Sequence, residues 1–364
     1  MKIKDATIAV QSTPLIKPFK TALRTATQIE SIVVKITLDN GMEGYGAAVP
    51  TEAITGETKQ GIIGILENVL IPKIIGREIE EINKNDKDIQ TSCIGNTSAK
   101  AALEMAMYDA LCKLLNIPLY QLFGGKMNHH VNDMTISVNN VEEMVNDAKK
   151  VTEKGFSILK IKVGKEAEKD IERIERIYDE VGPNISLRID ANQGWTAKDA
   201  VKIIQSLEQL HLPIEFIEQP VSKHDIKGLQ FIRERVNVPI MADESVFSAR
   251  DALELIRHHA VDLINIKLMK TGGLREAYKI ASLAEAAGIE CMIGSMMEPT
   301  LSVLAAAHLA MAHPNITKVD LDAPLWINDD SSRSFFQESK INVPDLPGIG
   351  YVPSMPNHDH KKGD

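Results

Sequence analysis

Lys162, Asp190, Glu218, Asp243 and Lys267 follow one another at steps of 28, 28, 25 and 24 residues. Each stands near the end of a short apolar run: LKIKV, SLRIDA, IEFIEQP, PIMADES and DLINIKLM. Ser295 and Asp320 extend the series by further steps of 28 and 25 residues. Three carboxylates cannot share a dry site without a cation, and oxygen-only ligands suit a hard ion such as Mg²⁺. The two lysines flank the carboxylates, one on each side. A lysine becomes a base near neutral pH when burial and neighbouring cations lower its pKa. A cation between opposed lysines suits abstraction of a proton next to a carboxylate. The ion would hold the carboxylate oxygens and stabilise the enolate dianion, while one lysine removes the proton and the other returns it to the opposite face. In LKIKVG, Lys160 and Lys162 point to the same side of a strand. Lys160 is therefore expected to lower the pKa of Lys162 and to meet substrate charge.

The elements that must position these groups follow from the pattern around them. From about residue 130 short apolar runs alternate with amphipathic helical stretches such as 167–181, 197–210, 248–259 and 273–287. With MTISV, ECMIGS and KVDLDAP the runs number eight, which predicts a parallel sheet closed into a barrel. One charged residue at a strand end is solvated or paired by chance often enough; five at successive ends converge on one barrel mouth, where active sites of this fold lie. Before residue 125 the texture differs. IESIVVKITLDNGMEGYGAAV reads as two strands turning at Asp39-Asn40-Gly41, a strong hairpin signal. TSAKAALEMAMYDALCKLLN (97–116) reads as a long helix stopped before Pro118,. The expected fold is α/β: a TIM-like (β/α)7β barrel over 126–324 and an α+β capping domain over 1–125. Residues 325–364 are expected to return to the capping domain, with a disordered NHDHKKGD end,.

The chain has 364 residues, 44% of them hydrophobic and 25% charged, with a formal net charge of −9. That balance argues against nucleic-acid and anionic-membrane partners. No secretory leader is visible. The longest apolar run, LSVLAAAHLAMA (301–312), is too short to span a bilayer,. Three cysteines, Cys93, Cys112 and Cys291, lack metal spacing and fit reduced thiols in a cytoplasmic protein.

LKIKVG, RIDANQGW, IEFIEQP, IMADES and INIKLMKTGG, in this order, resemble the muconate-lactonizing subgroup of the enolase superfamily, over nearly the whole chain. Within it the motifs are most similar to those of the dipeptide epimerases. The resemblance implies Asp190, Glu218 and Asp243 as ligands of one Mg²⁺, and Lys162 and Lys267 as the two acid/base catalysts. In DLDAP, Asp320 and Asp322 match the DxD pair that holds the free α-ammonium of a dipeptide. PFKTALRT (18–25) resembles a capping loop that closes over substrate, with Arg24 placed to meet a carboxylate. Thr135 and Ser295 match positions on the pocket floor. Met296 and Met297 beside Ser295, with Phe19 and Ile54 at the entrance, suit an apolar side chain, whereas Arg24 suits an acidic one. The expected substrate is accordingly an L-Ala-L/D-Glu-type dipeptide or a hydrophobic dipeptide, and a homo-oligomer is expected. GYGAA puts Ala47 where many relatives carry an acidic residue.

Other residues read more plainly. Asn192 shares a face with Asp190 by the strand rule and is expected to support the metal ligands. His308, in an apolar helix, reads as a satisfied core histidine. Lys17 and Lys20 read as solvated loop charges, and Glu104 and Asp109 as facing water or a domain contact. The rival activities are N-acylamino acid racemisation, o-succinylbenzoate synthesis and muconate cycloisomerisation, all on the same lysines and metal. Acid-sugar dehydration would place a histidine where Lys267 stands. A non-catalytic binding protein would have no use for all five groups.

Overall fold

Alternating apolar residues build the first layer. β1 (Ile3–Lys20) pairs antiparallel with β2 (Thr25–Leu38), which pairs antiparallel with β3 (Glu43–Ala48). The β2–β3 turn is the anticipated one: Gly41 takes φ +85°, and the Asn40 side chain accepts from Met42 N at 3.0 Å. This computed structural model describes residues 1–164, 166–328 and 332–354; the expectation for the NHDHKKGD end lies outside them.

Behind the sheet come α1 (Lys59–Ile65), a π turn at Leu66–Leu70, α2 (Ile71–Ile74), α3 (Ile82–Gln90), α4 (Thr97–Leu115) and α5 (Leu119–Leu122). β3 carries Gly44 and Gly46 because α4 lies directly on it: a Cβ at either would run into backbone oxygens of Ala106 and Ala102. Packed also against the barrel, α4 is buried on all sides from Ser98 to Cys112. Its two carboxylates make contacts between segments, and neither faces water. Glu104 accepts from Gln90 Nε2 at 3.0 Å and from Arg275 N at 2.8 Å, across the domain boundary. Asp109 accepts from Tyr45 N at 2.9 Å, Lys113 Nζ at 2.7 Å and Ile349 N at 2.7 Å.

The second layer is an eight-stranded parallel sheet in sequential order. Its strands are β4 (Met134–Ile136), β5 (Ile158–Lys162), β6 (Ser186–Asp190), β7 (Ile214–Glu218), β8 (Ile240–Ala242), β9 (Leu263–Lys267), β10 (Glu290–Gly294) and β11 (Ile316–Asp320). A bridge between Asn132 and Val319 joins the last strand to the first. Between them run α6 (Val141–Glu153), α7 (Ala167–Val181), α8 (Ala197–Gln209), α9 (Ile226–Arg233), α10 (Ala249–Arg257), α11 (Leu268–Thr271), α12 (Leu274–Ala286) and α13 (Thr300–Ala312). Among the described residues no α-helix follows β11, so the barrel is of (β/α)7β type. Side chains of Asn140, Thr196, Asp225 and Ser248 cap α6, α8, α9 and α10 by accepting from the third backbone N–H beyond them, each contributing about 1 kcal/mol. Among the described residues no helix is long and apolar enough to cross a membrane.

After β11 the chain makes a 3₁₀ turn (Ala323–Trp326) and later a small hairpin, β12 (Phe336–Gln337) with β13 (Lys340–Ile341). It then meets the segment just past α4: Leu119 N donates to Gly348 O at 2.8 Å. His308 of α13 is a core histidine. Its Nδ1 accepts from Tyr120 N at 3.2 Å, and its Nε2 lies 3.1 Å from Ile349 O. Lys17 is exposed as expected and Lys20 is half-buried, but neither lies in a loop. They sit in β1, whose end lies against the start of α6, and they reach Asp147 at 2.6 Å and Asn139 Oδ1 at 2.7 Å.

Candidate active site

Parallel pairing in register brings the strand-end residues to one level. Lys162 is opposite Asp190, Asp190 opposite Glu218, and Gly294 lies between Lys267 and Asp320. One oxygen each from Asp190, Glu218 and Asp243 lies within 4.8 Å of the others, and all three residues are buried. An all-oxygen donor set of that size and charge fits a hard divalent ion. Asn265 Nδ2 donates to Glu218 Oε1 at 2.8 Å and thereby orients that carboxylate.

Lysines surround the trio. Lys162 Nζ is 2.5 Å from Asp190 Oδ2, and Lys267 Nζ is 2.6 Å from Asp243 Oδ2. Buried Lys270 holds Asp243 from the other side, at 2.5 Å from Oδ1, and also donates to the Asp243 carbonyl. Lys160 is placed otherwise than its strand face implied. It is fully buried, does not line the cavity, and reaches Asp320 at 2.5 Å, Glu218 at 2.7 Å and Asp190 at 3.3 Å. It is a counter-ion beneath the site.

These pairings set the protonation states. Burial pushes the Glu218 carboxyl up to about 7, with Asp190 adding to the effect. Burial acts on Asp243 in the same way, but Lys267 and Lys270 overcome it and hold that carboxyl well below the usual range. The same reversal keeps Asp320 at about 2, through Lys160, Lys162 and Lys267 together. Burial alone would lower Lys267; Asp243, Glu218 and Asp320 together outweigh it and raise the amine above its ordinary value. The lowered lysine pKa anticipated from burial is thus not what these carboxylates produce by themselves at Lys267.

Above this floor lies a cavity between barrel and cap. Thr135, Lys162, Asn192, Lys267, Ser295, Met296, Met297, Asp320 and Asp322 line its barrel side; Phe19, Arg24 and Ile54 line its capping side. Lys162 and Lys267 stand four strands apart in a barrel of eight, on opposite walls. Asp322 Oδ2 accepts from Thr135 N at 2.8 Å and Trp326 Nε1 at 3.1 Å. Asn192 reaches the site through a turn, with φ +44°, where the strand rule no longer applies. Its backbone N donates to Asp190 Oδ1 at 2.9 Å, and its side chain meets Glu244 Oε1 at 3.4 Å.

Some site residues carried no assignment from sequence. Thr21 and Leu23 line the cavity beside Arg24. Glu244, which also lines it, is buried, and burial with Asp243 beside it pushes its carboxyl up to about 8. Lys270 and Asn265 brace the ligand carboxylates. The available signals were a second acid directly after Asp243 and a second lysine three residues after Lys267.

A capped (β/α)7β barrel with three carboxylates between two opposed lysines defines an acid/base enzyme of the metal-assisted kind. Two family models match: residues 3–124 fit the mandelate racemase / muconate lactonizing enzyme N-terminal domain, and residues 143–357 fit the enolase C-terminal domain-like family. The chain belongs to the enolase superfamily, in its mandelate racemase / muconate lactonizing branch. It is 46% identical over 355 residues to the L-Ala-D/L-Glu epimerase of Bacillus subtilis, covering 97% of this chain and 96% of that one. It is 45% identical over 324 residues to the hydrophobic dipeptide epimerase of Enterococcus faecalis, covering 89% and 91%. The substrate-liganded B. subtilis enzyme superposes with a TM-score of 0.93 at 45% identity, covering 96% of this chain and 98% of that one. The E. faecalis dipeptide epimerase complexed with Mg and L-Leu-L-Tyr gives 0.92 at 41% identity, covering 96% and 99%.

Proposed function

We propose that the protein is a Mg²⁺-dependent dipeptide epimerase that inverts the α-carbon of the C-terminal residue. One observation carries this reading: Lys162 and Lys267 face each other across a single cavity whose far wall ends in Asp320 and Asp322. Asp190, Glu218 and Asp243 would hold the ion. When bound, it takes up carboxylate charge and acts as a Lewis acid on the substrate carboxylate. The chain's own groups do the rest. Lys162 and Lys267 approach the α-carbon from opposite faces, so one takes the proton and the other delivers one. Asp320 and Asp322 meet the N-terminal ammonium. Asn192 and Lys270 keep the carboxylates in place, and Lys160 neutralises charge beneath them. Arg24 at the capping side favours an acidic C-terminal residue of the L-Ala-L/D-Glu type, although Phe19, Ile54, Met296 and Met297 give the same wall an apolar share. The reading includes a cytoplasmic setting, which three cysteines without a disulfide support.

A dipeptide library incubated in D₂O and read by mass spectrometry tests the reaction. Deuterium should enter the α-position of the C-terminal residue of free-amine dipeptides. Lys162→Ala and Lys267→Ala should each abolish epimerisation, and each should retain exchange of only one epimer, the opposite one in the two variants. Normal epimerisation by either variant refutes the two-base assignment. N-acetyl substrates outperforming free dipeptides would point to an N-acylamino acid racemase.

A further inference from the structure

Trp326 closes the 3₁₀ turn that begins directly after Asp322, and it is 2% exposed. A buried indole N–H needs an acceptor. Here it is the Asp322 carboxylate, whose Oδ2 takes both this donor at 3.1 Å and Thr135 N at 2.8 Å. One oxygen of Asp322 is thereby committed to the protein. The rest of the indole meets the capping domain. The Phe19 ring stands edge-on to it, with centroids 5.0 Å apart at 87°. Lys17 Nζ lies 5.2 Å from the ring centroid while pairing with Asp147, and Leu15 bridges to Ile327. Phe19 lines the cavity, and the same strand leads on to Arg24. A single side chain thus touches the carboxylate on the barrel wall and the strand that brings in the other wall.

We infer that Trp326 is a positioning residue: its N–H aims Asp322 at the substrate ammonium and its ring seats the Lys17–Arg24 segment over the cavity, so that amine recognition and pocket closure are linked. The inference rests on the dipeptide reading above. If the indole only filled space, its loss would weaken every ligand alike. A linking role predicts a loss confined to ligands that carry the amine.

Trp326→Phe keeps a ring for Phe19 and Lys17 and deletes the N–H. Its KM for L-Ala-L-Glu should rise about tenfold, as expected for a lost hydrogen bond to a charged group, with kcat within about twofold. The Ki of N-propionyl-L-glutamate, the same molecule without the amine, should stay at the wild-type value. Lys17→Met, which leaves the indole intact, should raise KM in the same direction by a few fold, and serves if Trp326→Phe does not fold. In a Trp195→Phe background Trp326 is the sole tryptophan; its emission should respond to Ala-Glu and not to the propionyl analogue. Equal weakening of amine and des-amine ligands, or emission indifferent to both, overturns the inference. A wild-type protein that epimerises no dipeptide removes the dipeptide reading itself, and this inference with it.

Discussion

Acidification should loosen the junction between barrel and cap, and His308 sets the size of the effect. Burial lowers this imidazole from 6.5 to about 4. Both of its nitrogens are engaged, Nδ1 as acceptor for Tyr120 N and Nε2 toward the Ile349 carbonyl, so a second ring proton would have to displace the first of these bonds. Between the two pKa values the unfolded chain binds a proton that the folded chain refuses. Stability from this group is therefore complete above pH 6.5 and lost as pH falls toward 4. Linkage puts the loss at about 2 kcal/mol by pH 5 and about 3 kcal/mol by pH 4. His308→Asn removes the titration at a pH-independent cost of about 1–3 kcal/mol for the lost bond to Ile349. Urea unfolding of both proteins at pH 8, 7, 6 and 5 gives the difference, in which shared titrations cancel. The gap should shrink by about 2 kcal/mol from pH 8 to pH 5. Parallel curves would show that His308 does not titrate between the two states and would refute the reasoning.

Chelation should abolish α-proton exchange and Mg²⁺ should restore it; full activity after exhaustive metal removal would sink the assignment of the carboxylate trio. Arg24→Ala should lower kcat/KM for Ala-Glu at least about tenfold more than for Ala-Leu, the scale of one charge-assisted contact, and equal losses would take Arg24 out of side-chain recognition. Asp109→Ala strands two buried backbone N–H groups, those of Tyr45 and Ile349, and should cost roughly 2–5 kcal/mol. Limited proteolysis should then cut first near residues 342–354, and an unchanged cleavage pattern would show that Asp109 does not hold that segment.

The architecture was readable because the hydrophobic period changes from 2 to about 3.6 at every element of the barrel, and because polar residues recur at strand ends at near-constant steps. Depth was harder to read. Alternation puts Lys160 on the same face as Lys162, but two residues back along a strand is about 6.6 Å lower, a full layer of the barrel interior. There the lysine meets three carboxylates. Turn geometry hid others. Gln193 and Gln219 adopt positive φ at +66° and +37°, so their side chains leave the alternation that would have placed them. Lys17 finds a partner on α6 and Lys20 one just before it, some 120 to 130 residues away, and nothing in their neighbourhood announces contacts at that range.

The clasp between Asp109 and Ile349 spans 240 residues. A ribosome adding roughly 5–20 residues per second needs about 12–48 s to cover that distance. Throughout that interval the nascent cap holds a finished sheet and α4, yet Asp109 and Leu119 still await the Gly348–Ile349 backbone. The open ends of the early domain are closed by residues made some 240 positions later. A chain stalled or truncated before Gly348 should therefore present chaperones and proteases with an unsealed α4 face.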